Sequence, residues 1–254
     1  RLNEYIGIYL ADKRNNQDEL EVRFGTKYYN TITKIHFENI IAKIKSLGFR
    51  PHIPEGESYL NIQNEYADPK SGKMRLSNIR TTINGVHNIQ KYCKENNLIS
   101  DNLPIGTEFL QKFSKRNDDN NLRPIDFHDF HFRVNYKTER KLKTNRQEVI
   151  SLLQNWKDTK KVFRYIKRFT FFHYDFPFKI DCSIVKTSNK KRNYISTYNI
   201  EESNVFNNSE NYEIEIELLN SRAKFIYSRI DGMSDQDLLL HQLRKGIQII
   251  LSGW

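Results

Sequence analysis

Five glutamates are spaced so that they could hold a cation. Residues 213–217 read Glu-Ile-Glu-Ile-Glu, and residues 19–25 read Glu-Leu-Glu-Val-Arg-Phe-Gly. Strict alternation of acid and aliphatic is a strand pattern. Glu213, Glu215 and Glu217 therefore share one strand face, and Glu19 and Glu21 share a face of another. Same-face neighbours lie about 6.7 Å apart, twice the strand rise. Two carboxylates at that distance repel by about 0.6 kcal/mol in water and about 2.5 kcal/mol where the effective dielectric is near 20. On a wet face such a row costs little. Inside a closed sheet it is costly unless a cation sits among the oxygens, and hard oxygen donors suit Mg2+ or Mn2+. If the two strands are neighbours, their carboxylates bring three or four oxygens onto one ion.

The rest of the chain is basic. Its 254 residues hold 41 Lys and Arg against 31 Asp and Glu, a formal charge of +10. That balance points to a polyanionic partner, nucleic acid or a phosphorylated small molecule. Cys93 and Cys182 are the only cysteines, too few for a disulfide framework and too isolated for a zinc site, which fits a reducing intracellular setting. No apolar run approaches the ~20 residues that span a membrane, and no signal-like start is present. The sequence begins at Arg1 and stops soon after an apolar helical stretch, as expected of a piece of a longer polypeptide.

Strand patterns dominate the elements that must position the acids. Asp18–Thr26 reads as a first strand, followed by a helix over Thr33–Leu47 that Gly48 ends in a left-handed cap. Ser58–Ala67 and Met74–Asn84 are strands flanking the turn residues Asp68-Pro-Lys-Ser-Gly72. Gly85–Asp101 is polar and ambiguous. Thr107–Lys115 is another strand, Arg116–Arg123 an Asn/Asp-rich loop, and Phe130–Leu142 a long alternating strand. Gln147–Trp156 is a helix opened by Asn145, with Glu148 completing a capping box. Val162–His173, Phe178–Lys186 and Tyr212–Leu219 are strands, with a loop-rich stretch over Thr187–Asn211 and a short element over Ala223–Ser228. Ser234 opens a last helix whose apolar side carries Leu239, Leu240, Leu243, Ile247, Ile250 and Leu251.

About eight strands and a few helices predict a mainly β fold, an antiparallel barrel with helices outside. Arg133, Asn135, Lys137 and Glu139 share one face of their strand, and Phe132, Val134 and Tyr136 the other. Polar faces turned to water would satisfy this pattern. So would a closed sheet with its polar faces inward and its apolar faces under helices, which is a hydrophilic tunnel.

At these residues the chain resembles the triphosphate tunnel metalloenzymes. The two glutamate strands, near the start and near the end, are similar to the pair that defines the RNA 5′-triphosphatase branch found in fungal and viral mRNA capping systems. The resemblance covers about residues 18–220 in element order. It implies an eight-stranded antiparallel tunnel, with Mg2+ or Mn2+ as cofactor, that removes the γ-phosphate of triphosphate-ended RNA and leaves a 5′-diphosphate. NTP hydrolysis is expected alongside. Residues 1–230 would form the tunnel domain, and 231–254 a helix at the junction to further capping domains, a guanylyltransferase and a methyltransferase, on one intracellular viral polypeptide.

The same resemblance implies roles. Glu19, Glu21 and Glu217 match metal-binding glutamates. Glu215 matches the acid at the metal-bound or attacking water, and Glu213 the third essential carboxylate. Arg133, Glu139, Lys112 and Asp181 match further tunnel positions. With Thr170 setting the register, Arg164 and Arg168 match basic positions, while Ile166 falls where a lysine is expected and Lys167 points outward unless a bulge shifts it. Lys137 joins the phosphate clamp. Arg75 and Arg80 compete for one arginine position, and their opposite parity turns one of them out.

Other signals carry less. Ser71-Gly-Lys73 lacks the leading glycine and the strand-to-helix setting of a P-loop. His128 and His131 in Asp126–His131 belong to a loop and a strand start. Arg229-Ile-Asp-Gly232 has arginine where a nucleotidyltransferase needs its lysine nucleophile. Two other readings compete: a tunnel-fold hydrolase or polymerase of inorganic tri- or polyphosphate, and a non-catalytic RNA-binding module built on aromatics interleaved with bases.

Overall fold

In the computed structural model the alternating strands close on themselves, polar faces inward. The structure describes residues 2–11, 18–25, 31–99, 102–114, 116–117, 120–219 and 233–254. Eight antiparallel strands form the barrel: β1 (Asp18–Phe24), β2 (Glu57–Ala67), β3 (Ile79–Asn84), β4 (Thr107–Ser114), β5 (Phe132–Leu142), β6 (Lys161–Phe172), β7 (Phe178–Thr187) and β8 (Asn211–Leu218). Their order is β6-β7-β8-β1-β5-β4-β3-β2, and β2 pairs back onto β6 to complete the closure. Short strands at Arg50–Pro51, Met74–Leu76 and Ile125–Phe127 extend the edges of β6, β2 and β5.

Parity decides what each face does. Leu20, Val22 and Phe24 of β1, Phe132, Val134 and Tyr136 of β5, Phe178, Ile180 and Cys182 of β7, and Ile214, Ile216 and Leu218 of β8 are buried in one outer core. Three helices cover it: α1 (Leu2–Ala11), α2 (Lys34–Ser46) and α5 (Asp235–Ser252). A second core puts Leu60, Ile62, Ile83, Phe109 and Phe163 under α3 (Val86–Glu95) and α4 (Gln147–Gln154). Each large aliphatic so buried contributes about 1.5–3 kcal/mol. A slip of one residue in any strand would exchange its two faces and forfeit that burial. The inward polar face is thus a consequence of where the helices sit.

Several local expectations hold. Gly48 lies at φ +92° after α2, and Ser234 Oγ accepts a hydrogen bond from Asp237 N at 3.1 Å to open α5. Within α5, a Cβ on Gly246 would meet Phe178 Cζ at 2.6 Å, so only glycine lets the helix approach β7 this closely. Others need correction. Arg146, with no side-chain cap, opens α4, one residue later than expected, so Asn145 is outside the cap and Glu148 falls short of the capping-box position. The ambiguous polar stretch after Gly85 forms α3, whose Ile89 and Tyr92 are buried. The expected element over 223–228 and the 229–232 motif lie outside the described residues. Among the described residues no helix is long and apolar enough to cross a membrane, and Cys93 and Cys182 are free thiols.

Candidate active site: the tunnel interior

The barrel encloses a cavity of about 640 Å³ whose walls carry most of the charged residues singled out above. The two acidic strands are neighbours. β1 pairs β8 with Glu21 opposite Glu217 and Arg23 opposite Glu215. Glu19, Glu21, Glu215 and Glu217 all line the cavity, as do Arg80, Lys112, Lys137, Glu139, Arg164 and Arg168.

Each acid meets a base. Lys112 Nζ lies 2.7 Å from Glu139 and 3.3 Å from Glu19. Lys137 Nζ is 3.2 Å from Glu21, which also accepts a hydrogen bond from Asn135 at 3.0 Å. Lys179 Nζ is 2.9 Å from Glu217. Arg23 bridges Glu213 at 2.8 Å and Glu215 at 3.4 Å, and Arg164 also pairs with Glu213. Arg80 donates to Glu139 at 2.8 Å. Asp181, almost fully buried, lies behind this wall: Thr170 Oγ1 donates to it at 2.6 Å, and Lys179 and Arg168 approach at 3.3 and 3.5 Å. Arg168 also stands 5.9 Å from the Tyr59 ring centroid, whose phenol burial and Glu57 push up to about 12.

Burial and these pairs set the charge states. Burial raises the Glu215 carboxyl, but Arg23, Arg168 and Arg164 outweigh it and hold the group below the usual carboxylate range. Glu217 is raised, because burial exceeds the help from Lys179. Glu19 is pushed up to about 7 by burial, with Lys112 opposing and Glu139 and Glu217 adding repulsion. Lys112 and Lys179 are held above their usual values, because their acidic neighbours outweigh burial.

Among the described residues no group of three acidic, histidine or cysteine side chains is arranged to ligate one ion. The donor chemistry nevertheless suits a hard divalent cation. Glu21 and Glu217 are register partners, and Glu19 and Glu217 are both raised chiefly by burial.

Not every sequence-based candidate reaches the cavity. Ile166 faces in and Lys167 faces out, because β6 pairs β7 without a bulge and Thr170 sits opposite Asp181. Lys167 Nζ donates to the Gly56 carbonyl at 3.2 Å, outside the barrel. Arg80 lines the cavity, while Arg75 pairs with Asp68 and its side chain is 58% exposed. Arg133 belongs to one mouth, where Asp126 holds its guanidinium at 2.6 and 2.9 Å. Arg23 and Lys179 are tunnel residues that the sequence reading left out. Both have the parity of acids already chosen, Arg23 with Glu19 and Glu21 and Lys179 with Asp181, and that signal identifies them.

No protein-family model and no curated protein sequence matches the chain. Solved structures do. The RNA triphosphatase domain of a trifunctional mimivirus mRNA capping enzyme matches with TM-score 0.58 at 17% identity, over 98% of this chain and 96% of that one. The RNA triphosphatase Pct1 of S. pombe matches with TM-score 0.51 at 12% identity, over 100% of this chain and 91% of that one. The eight-stranded tunnel described here is therefore the fold of those two RNA triphosphatases.

Proposed function

We propose that the chain is a metal-dependent polynucleotide 5′-triphosphatase, which releases the γ-phosphate of triphosphate-ended RNA as the first step of mRNA capping. The observation that carries this reading is the pairing of Glu21 with Glu217 inside a closed tunnel whose other walls are cationic. The fold shared with two RNA triphosphatases supports it.

Glu19, Glu21 and Glu217 would hold Mg2+ or Mn2+, with Glu215 beside them. The ion would supply Lewis-acid polarisation of a phosphoryl oxygen. In the present arrangement those three carboxylates each engage a lysine. With those glutamates on a cation, Lys112, Lys137 and Lys179 would turn N–H bonds to phosphate oxygens, Lys112 still held by Glu139 and Lys179 by Asp181.

Phosphoryl transfer needs its charge neutralised and its nucleophile held in line. Arg80, Arg164 and Arg168 stabilise charge on the equatorial and bridging oxygens. Glu139 holds Lys112 and Arg80 in place, Glu213 holds Arg23 and Arg164, and Asp181 holds Arg168 from behind. Glu215, kept anionic by its arginines, orients the attacking water through a hydrogen bond. The water oxygen bonds to the γ-phosphorus as the β–γ bridging bond breaks, and inorganic phosphate and a 5′-diphosphate end result.

The test is γ-phosphate release from triphosphate-ended RNA, ATP and tripolyphosphate, each with Mg2+ and Mn2+. A protein inert on all three with either ion is not a triphosphatase. Glu19→Ala and Glu217→Ala should fold and lose metal-dependent turnover, whereas a simple RNA-binding module would keep its RNA affinity through both changes and never release phosphate.

A further inference from the structure

The bases inside the tunnel are paired with acids, whereas a group at one mouth is not. Beyond β7 the chain forms a tight hairpin, with Lys190 bridged to Tyr194, Lys191 N donating to Asn193 O at 3.1 Å, and Ile195 N donating to Asn189 O at 2.8 Å. Ser188 N donates to Phe163 O at 2.9 Å and anchors the hairpin to β6. Its tip reads Lys190-Lys191-Arg192, all exposed. Among the described residues no carboxylate pairs with any of the three; Lys190 Nζ instead lies 5.5 Å from the Tyr194 ring centroid.

Tyr194 has a place in two cavities. It lines the central tunnel, and with Arg23, Arg164 and Thr187 it also lines a vestibule of about 710 Å³ that Lys190 and Tyr212 help to wall. The vestibule is thus the outward continuation of the tunnel. Glu210 and Glu213 also line the vestibule, where Arg23 and Arg164 hold Glu213, while Glu57, opposite Arg168 at the start of β2, lines the tunnel away from the hairpin. A triphosphate with its terminal phosphate beside Arg168 and Glu215, running out past Arg164, would bring its first nucleoside to the hairpin.

We propose that this hairpin clamps the nucleotide chain behind the 5′ end, with Tyr194 stacking a base and Lys190, Lys191 and Arg192 taking the following phosphates. The clamp rests on the triphosphatase reading of the tunnel and adds to it a preference for a polynucleotide over a free nucleotide or inorganic triphosphate. Stacking on an aromatic face tolerates any base, and phosphate contacts carry no sequence information, so the clamp selects chain length rather than sequence.

The test uses the full chain with Lys190→Gln, Lys191→Gln and Arg192→Gln combined, and Tyr194→Leu beside Tyr194→Phe. Anisotropy of a short, labelled, single-stranded RNA carrying a 5′-triphosphate gives Kd, and phosphate release gives KM for that RNA and for ATP. The triple variant should weaken RNA binding about tenfold and flatten the log–log salt slope by about 2, at about 0.7 for each charge removed. KM for ATP should move less than about twofold, and Tyr194→Phe should bind RNA like wild type while Tyr194→Leu does not. Unchanged RNA affinity in the triple variant, or equal weakening of RNA and ATP, overturns the clamp. If wild type releases no phosphate from any substrate, the triphosphatase reading fails, and anisotropy alone then decides the clamp, which falls if wild type and variant bind RNA alike or neither binds.

Discussion

Lys112 stands between two carboxylates from different strands, 2.7 Å from Glu139 and 3.3 Å from Glu19. The two acids do not share it equally. Glu139, with Lys112 and Arg80 both in reach, lies below the usual carboxylate range despite its burial, whereas Glu19 is pushed up to about 7. Burial raises Glu19 more than Lys112 lowers it, whereas Lys112 and Arg80 together outweigh the burial of Glu139.

Lys112→Met should therefore leave Glu19 and Glu139 facing each other without a cation between them. Phosphate release should fall by at least about a hundredfold, the scale of losing one charge-stabilising donor. The far-UV circular dichroism should stay as in wild type, because Lys112 lies outside both outer cores. Turnover within about tenfold of wild type would remove Lys112 from the phosphate site.

Cation binding can be read without turnover. At a free Mn2+ concentration of about ten times Kd, mass action adds about 1.4 kcal/mol to stability. For a chain of this size that is a rise in Tm of about 3–6 °C. Glu217→Gln should lose most of that shift while melting cooperatively in the absence of the ion. An equal shift in wild type and Glu217→Gln would place the cation elsewhere.

The register of β6 can be tested at two adjacent residues. Arg168 reaches Asp181 and Glu215 inside the tunnel, whereas Lys167 reaches the Gly56 carbonyl outside it. Arg168→Ala should cut kcat for phosphate release by about a hundredfold or more, and Lys167→Ala should leave it within about twofold. The reverse pattern would mean that β6 is shifted by one residue in solution.

Lys161 gives a pH dependence separate from the site. Its buried ammonium donates to the carbonyls of Thr159 at 2.6 Å and Tyr198 at 3.1 Å, and lies 5.4 Å from the Trp156 ring centroid. Burial, opposed by Asp158, pulls it from 10.5 down to about 8. The unfolded chain keeps this proton up to about 10.5 and the folded chain releases it near 8, so over that interval the unfolded state binds more protons. Stability attributable to Lys161 should then rise with pH, by about 3 kcal/mol across the window. Urea unfolding should show wild type gaining on Lys161→Met between pH about 8 and about 10.5; a constant difference across that range would contradict the assignment.

Much of the site was legible because a strand has a period of two. The alternation in Glu19–Phe24 and in Glu213–Leu218 assigns every side chain to one of two faces, and the aliphatic face of each proved to be the buried outer one. Thr170 and Asp181 likewise set the parity of β6 and β7, which is why Arg164 and Arg168 face the cavity and Lys167 does not. The same rule, applied without regard to acid or base, includes Arg23 and Lys179. The helix at Val86–Glu95 was hidden because few of its residues are apolar, and α4 starts where the preceding turn lets it rather than where a good cap residue stands.

Local pattern could not say which strands meet. Glu21 and Glu217 are nearly two hundred positions apart in the chain, and only the pairing of β1 with β8 makes them opposite residues. Arg75 and Arg80 have equal claims as sequence, and the closure of β3 between β2 and β4 points Arg80 inward and leaves Arg75 with Asp68. Side-chain parity is a property of a few consecutive residues, so the sequence alone determines it. Strand order, barrel closure and the pairing of each acid with its base depend on burying two separate apolar faces under helices from both ends and the middle of the chain, and that global packing is decided only in three dimensions.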